Sequence, residues 1–512
     1  MQYIFYFLSV QSDHRIVTAN LRLSLRANIC RSKSTPSPEW SSLKNDVDIR
    51  NNFVIELKNR FALLENENHT NSPNESYKNF EQSCKEAASL TIPTKPKIQK
   101  QKPWESKEVC SAREELHRAA TTRDFLQTPE SESAFKLAKE SLIETYENNH
   151  KKYLQSKIDE IKNAADNKKS ALAWKTVNEV TEKKKTNKSR LKANSKEERL
   201  KLWKNHYTDL LKYPPIVTNC KIETVLHKKL DIKKGLFTLE ELKTACKSIQ
   251  SGKACGLDEI PAEVWKIEDF HEFLLKSCNA VYQQNIIEIW RTGCIIPIPK
   301  KGDLSVPKNY RGITLTAIAA KIYNLMILKR IRPELEKVLR KNQNGFRPSR
   351  STTGQILTIR RLIEGIKEKC LPAVLLFIDF TKAFDSIHRV KMKEILLAYG
   401  LPEETVNAIM MLYMNTKCII RTDEGDTDMF NIIAGGLQGD TLAPYIFIVS
   451  LDYVLKNSLD LHNNLGFTLT RRKSSRYPAK NITDIDYADD LAILSNFGKD
   501  ATTLLHSLEK VT

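Results

Sequence analysis

The sequence predicts an α+β fold on three observations. Residues 39 to about 235 are charged, poor in glycine and spaced like helices. After Phe237 the texture changes to short apolar strands, helices and glycine turns. Within that second half an apolar run stops abruptly at Asp379, and the adjacent pair Asp489 and Asp490 splits two strand-forming stretches. A chain of 512 residues has room for two to four domains with cores of their own. Lys and Arg total 81 against 62 Asp and Glu, a net charge of +19 with pI near 9.3. That excess favours a polyanionic partner, nucleic acid first among them. The ten cysteines are scattered singly, which argues against a disulfide scaffold or a zinc clamp and for reduced, intracellular thiols. The apolar run Tyr3 to Val10 is too short to span a bilayer and lacks a secretory cleavage pattern, so no membrane partner is expected.

In chain order, Val17, Ala19, Leu21, Leu23 and Leu25 alternate as in a half-buried strand, and Pro36 and Pro38 then break regular structure. In the helical stretch, Leu200, Trp203, Tyr207, Leu210 and Leu211 share one face, with Ser195 and Glu198 spaced as a capping box at its start. Lys183 to Lys185, Lys188, Arg190 and Lys192 form a basic cluster that reads as a solvated face or linker, with phosphate binding or nuclear import as the sharper options. Trp104 and Trp174 read as packing anchors.

Ala373 to Asp379 reads as a strand buried on both faces and ending in a carboxylate at a sheet rim. A charge placed there is costly unless a cation compensates it. Ile482 to Leu494 reads as a tight hairpin with Asp489 and Asp490 at its tip. Three carboxylates brought together repel unless divalent cations sit among them, and Mg²⁺ favours a few carboxylates plus substrate phosphates. Two such ions suit nucleotidyl transfer. Taken singly, each block also reads as an ordinary turn or an N-cap.

Phe377-Ile378-Asp379-Phe380-Thr381-Lys382-Ala383-Phe384-Asp385 and Tyr487-Ala488-Asp489-Asp490 resemble the two catalytic aspartate motifs of reverse transcriptases, most closely the non-LTR (LINE-type) retrotransposon branch. Between them, Gly435 to Pro444 resembles that family's Gln-Gly block. Upstream, Ser251 to Pro261, Ile295 to Asp303, Asn309 to Leu315 and Gln343 to Pro348 resemble the fingers motifs and their continuation in family order. The resemblance implies a right-hand polymerase palm and fingers over residues 236–512, preceded by a mainly α-helical linker at 31–235. It implies an RNA-directed DNA polymerase working on an RNA template, a DNA primer and dNTPs, at a nuclear site of action. Asp379, Asp489 and Asp490, with the Phe380 carbonyl, would hold two Mg²⁺ ions, Mn²⁺ being the alternative. Lys300 or Lys301 together with Arg311 would clamp the triphosphate, Phe384 would be the steric gate, and Gln438 and Gly439 would line the nucleotide pocket. Arg347 and Arg350 are candidates for template phosphates, whereas Asp385, His388 and Asp440 stay outside the metal set. Gly312 stands where relatives often carry proline.

Ser12 to Val17 resembles the last catalytic block of the apurinic-type endonuclease of these elements, with His14 as base oriented by Asp13. Only that tail lies within residues 1–30, so an inactive remnant is expected. The chain stops at Thr512 inside the helix that should follow the hairpin, which implies that the thumb is missing. Two rivals to the polymerase reading are a catalytically inactive, nucleic-acid-binding relic and a related polymerase that prefers a DNA template.

Overall fold

Capping residues delimit the helices of the first half. Ser72 and Glu75 form a reciprocal capping box at the start of the helix Pro73–Thr91, Ser106 caps the helix Lys107–Leu126, and Thr128 with Pro129 opens the helix Pro129–Asp166. The computed structural model describes residues 38–67, 72–94, 104–167, 170–180, 191–193, 195–212, 222–300, 302–380, 382–436 and 439–511. The alternating strand at 16–25 and the basic cluster from Lys183 to Arg190 lie outside these residues. Helices α1 (Ser42–Asn45), α2 (Val47–Glu67) and α3 (Pro73–Thr91) are followed by α4 (Lys107–Leu126), α5 (Pro129–Asp166), α6 (Ser170–Val180) and α7 (Lys196–Leu210). Among the described residues no helix is long and apolar enough to cross a membrane.

These helices divide into three behaviours. α2 and α3 bury Phe53, Leu57, Tyr77 and Phe80 in the same core as Phe237, Trp265, Phe270 and Trp290. The compositional boundary at residue 235 is therefore not a packing boundary, because apolar faces on both sides of it have each other as partners. α4, α5 and α6 bury few side chains; Trp104 packs on His150 and Tyr153, but Trp174 is 66% exposed and anchors nothing. α7 begins with the Ser195 hydroxyl accepting the Glu198 N–H at 3.1 Å, and its Trp203 and Tyr207 face is buried as its spacing predicts.

The second half adds α8 (Leu239–Ser248), α9 (Ala262–Trp265), α10 (His271–Tyr282), α11 (Ile318–Val338), α12 (Thr352–Glu368), α13 (Arg389–Ala398), α14 (Glu403–Met410), α15 (Ala443–Ser458) and α16 (Gly498–Val511). Strands β1 (Thr292–Pro299), β2 (Tyr310–Leu315), β4 (Thr416–Thr422), β5 (Gly425–Asp426) and β6 (Phe430–Ile432) make one sheet, ordered β2-β1-β4-β5 with β6 also paired to β4. α7 lies on this sheet, where Trp203 and Tyr207 cluster with Ile295, Tyr310, Cys418 and Ile420. A small ribbon joins β7 (Phe467–Thr470) and β8 (Lys480–Ile482).

The third sheet, β3 (Val374–Asp379), β10 (Asp490–Ser495) and β9 (Asp484–Tyr487), is antiparallel in the order β3-β10-β9. Side chains alternate between its faces. One face carries Leu376, Ile378, Leu491 and Ile493 toward the main core, with Leu504 and Leu508 of α16. The other carries Leu375, Ile485 and Leu494 toward Leu362 and Ile366 of α12. Burial of β3 on both faces holds only in part. Its residues are half-buried or exposed, and Phe377 is 69% exposed, because β3 is an edge strand whose second face opens toward the Asp379 end.

Candidate active site

Register sets the geometry of the aspartates. Asp490 pairs directly with Asp379 across β10 and β3, so both side chains leave the same face of the sheet, beside the exposed Phe377. Asp489 sits in the two-residue turn between β9 and β10. Asp379 and Asp490 are exposed and Asp489 is half-buried. Among the described residues, no hydrogen-bond or ion-pair partner engages any of the three carboxylates. Hard oxygen donors left free of protein cations suit a hard divalent cation. Nevertheless, among the described residues no group of three acidic, His or Cys side chains is gathered to hold a metal ion as it stands.

Four further sequence blocks are joined through a chain of contacts that starts at Phe384, five residues after Asp379. Phe384, half-buried, stacks on Phe447 with ring centroids 4.5 Å apart and stands edge-on to Phe346 at 5.8 Å. The Gly436 N–H donates to the Phe384 carbonyl at 2.9 Å, and a Cβ on Gly435 would meet the Asp385 carbonyl oxygen at 2.8 Å. Gly439, at φ +123°, lies against Thr314 of β2, where a Cβ would overlap the Thr314 carbonyl oxygen. On β1 and β2, Ile298 pairs with Arg311, and Lys300 follows at the strand end; both basic side chains are exposed. Lys301, Gln438, Asp13 and His14 lie outside the described residues. Gly312 makes room for Tyr207 of α7, since a Cβ there would meet that ring at 2.6 Å.

Two of the residues set aside, Asp440 and His388, are accounted for by the fold. Asp440 accepts from Asn324 and from the Tyr413 hydroxyl, both at 2.7 Å, and His388 caps α13. Arg347 is buried and pairs with Glu336 at 2.8 Å, and it and Arg350 donate to the Gln343 carbonyl at 3.2 and 3.0 Å. Their hydrogen bonds hold a loop, which corrects the expectation of template contacts for Arg347: a side chain that deeply buried has no reach to a phosphate.

Sequence reasoning missed the base of the hairpin. Asp484 and Asp486 point to the core face, opposite to Asp490, and both are fully buried. Arg340 holds them, at 2.5 Å from Asp484 and 3.4 Å from Asp486, and its backbone N–H donates to Asp452 at 2.8 Å. Asp452 also accepts from the Tyr399 hydroxyl at 2.5 Å and pairs with Lys456 at 3.2 Å. Burial raises the Asp484 carboxyl, but the charge and hydrogen bond of Arg340 outweigh it and hold the group below the usual range. Burial first, and the Asp484 charge second, push Asp486 well above that range. The available signal was Asp484-Ile485-Asp486, two acids on one face of a strand whose partner strand is apolar on that face.

Residues 298–512 match the family described as "Reverse transcriptase (RNA-dependent DNA polymerase)". These residues, under half of the chain, are similar to a reverse transcriptase domain. Similar proteins carry transposon names. The "Retrovirus-related Pol polyprotein from type-1 retrotransposable element R2" of Popillia japonica is 29% identical over 200 residues, covering 39% of this chain and 27% of that protein. The "Transposon TX1 uncharacterized 149 kDa protein" of Xenopus laevis is 25% identical over 222 residues, 42% of this chain and 17% of that one. The "Probable RNA-directed DNA polymerase from transposon BS" of Drosophila melanogaster is 24% identical over 285 residues, 53% of this chain and 29% of that one. The matched stretch is thus under a third of the length of each of these relatives. The enzyme class of a reverse transcriptase domain is RNA-directed DNA polymerase. All three carboxylates, Arg311, Phe384 and Gly439 fall inside the matched residues.

Proposed function

We propose that this chain carries the palm and fingers of a non-LTR retrotransposon reverse transcriptase, which extends a primer 3′-hydroxyl with dNTPs copied from RNA. The observation behind the reading is the pairing of Asp379 with Asp490 at one end of a sheet, with Asp489 in the adjoining turn, inside the residues that match the reverse transcriptase family. In this reading the β3-β10-β9 sheet with α15 is the palm, β1 and β2 belong to the fingers, and residues 31–235 lead into them. Residues 1–30, with Asp13 and His14, are the tail of an endonuclease. Genomic DNA as primer puts the site of action in the nucleus.

Asp379, Asp489 and Asp490, with the Phe380 carbonyl, would hold two Mg²⁺ or Mn²⁺ ions. Such ions, when bound, stabilise the charge on the attacking and leaving oxygens of an in-line displacement. Arg311 with Lys300 or Lys301 offers charged donors to the triphosphate. Gln438 and Gly439 would line the nucleotide pocket, where glycine lets the backbone come close. The Phe384 ring, backed by Phe447, disfavours a sugar 2′-hydroxyl. The +19 net charge suits a nucleic-acid partner.

A second reading, a chain that binds nucleic acid without extending it, draws on the carboxylates not being gathered. Primer extension on an RNA template with Mg²⁺ and dNTPs separates the two, run beside Asp489→Ala. Extension that the substitution abolishes supports the polymerase. A wild-type chain that binds the RNA–DNA duplex and never extends it supports the second reading.

A further inference from the structure

The turn that carries Asp489 is strained. Of its two residues only Ala488 has a positive φ, +56°, the pattern of a primed type II turn that ordinarily takes glycine there. A non-glycine residue keeps such a backbone only where its surroundings over-determine it. Here one side chain makes the hydrogen bonds that hold it. The Ala488 N–H donates to Gln343 Oε1 at 2.8 Å, and Gln343 Nε2 donates to the Ala488 carbonyl at 3.0 Å. Oε1 also accepts the Gly345 N–H at 2.7 Å. Because two partners can only donate and the third only accepts, one orientation of the amide satisfies all three. Gln343 is 2% exposed.

The loop that presents Gln343 is itself locked to the hairpin. Asn344 N–H donates to the Asp486 carbonyl at 3.0 Å, and Gln355 Nε2 donates to that same oxygen at 2.7 Å. A Cβ on Gly345 would overlap the Ala488 nitrogen, so glycine lets the loop come this close. We propose that Gln343 is a positioning residue, a clamp that sets the turn from which Asp489 and Asp490 project. The role rests on the polymerase reading above. The clamp itself is a property of the fold.

The test compares the full chain with Gln343→Met, close in length but without the amide, and with Gln343→Asn, which keeps the amide one methylene short. The first readout is hydrogen exchange of the hairpin, which needs no activity. In Gln343→Met the Ala488 amide exchanges faster by about tenfold or more, while the β10 amides of Leu491 and Ile493 stay protected. Unchanged exchange at Ala488 overturns the clamp. The second readout is kcat and KM in primer extension, with the Mg²⁺ concentration for half-maximal rate. kcat falls by about tenfold to a hundredfold in Gln343→Met and less in Gln343→Asn; KM for the template–primer holds, and the Mg²⁺ requirement rises. Wild-type kcat and Mg²⁺ requirement in Gln343→Met, with Ala488 exposed to exchange, overturn the positioning role. A wild-type chain without activity counts against the polymerase reading, and exchange at Ala488 still decides the clamp.

Discussion

The two ends of one hairpin use the same residue in opposite ways. At its base, Asp484 and Asp486 are buried against the core and held by Arg340. At its tip, Asp490 faces the other side of the sheet beside Asp379, and Asp489 occupies the strained turn; among the described residues no protein cation engages them. A carboxylate at the base contributes to the fold only while its partner is present, because an unpaired buried charge is strongly destabilising. A carboxylate at the tip stays hydrated and repels its neighbours, so it adds nothing to stability and remains open to a ligand. Alternation along β9 and β10, not residue type, separates the two roles.

The largest expected effect tests the base. Arg340→Met leaves Asp484, Asp486 and Asp460 without their shared cation and destabilises the chain by about 3–5 kcal/mol. Denaturant unfolding reads this directly, and Asp484→Asn in the same chain recovers part of the loss. Equal stability in Arg340→Met and the wild type would remove the distinction between base and tip. At the tip the expectation reverses. On the proposed polymerase reading, Asp489→Asn lowers primer extension by about a hundredfold or more, as loss of charge placed for the transition state does, yet leaves stability within about 0.5 kcal/mol. A large fall in melting temperature in that variant would make the tip a structural element after all.

Asp258 sharpens the comparison from outside the hairpin, as a buried carboxylate with a tyrosine in place of an arginine. The Tyr77 hydroxyl of α3 donates to it at 2.9 Å, and its other oxygen has no partner among the described residues. Burial is the main cause that raises its pKa to about 7; the Tyr77 hydrogen bond opposes that, and Glu81 and Lys85 act in opposite directions. A carboxyl whose pKa is raised on folding holds its proton more tightly in the folded chain. Its contribution to stability is full below about pH 4 and is lost as pH rises to about 7. The loss is roughly 4 kcal/mol at most. Asp258→Asn removes that dependence, so its melting temperature relative to wild type rises between pH 4 and pH 8. A constant difference across that range would mean that Asp258 ionises freely in the folded chain.

Much of this was legible in the sequence. The Ser195 cap, the apolar face of α7, the strand ending at Asp379 and the hairpin around Asp489 and Asp490 are local patterns, set by periodicities of two and 3.6 residues and by turn chemistry, and all appear where expected. Local pattern also limits what such reading can reach. It does not say that α2 and α3 share a core with residues beyond 235, because two apolar faces carry no address for each other. It took Trp174 as an anchor, though that side chain is exposed, and offered Arg347 as a candidate for template phosphates, though Glu336 and two backbone carbonyls occupy it.

By itself, then, the sequence determined which segments are helices and strands, and which carboxylates end at a sheet rim. Only the tertiary structure decided which face of β9 is inside, that Arg340 reaches Asp484 across 144 positions, and that Gln343 grips Ala488 from 145 positions away. Such contacts depend on how separate elements pack, and a hydrogen-bonding side chain shows its role only once the partner that satisfies it stands within about 3 Å.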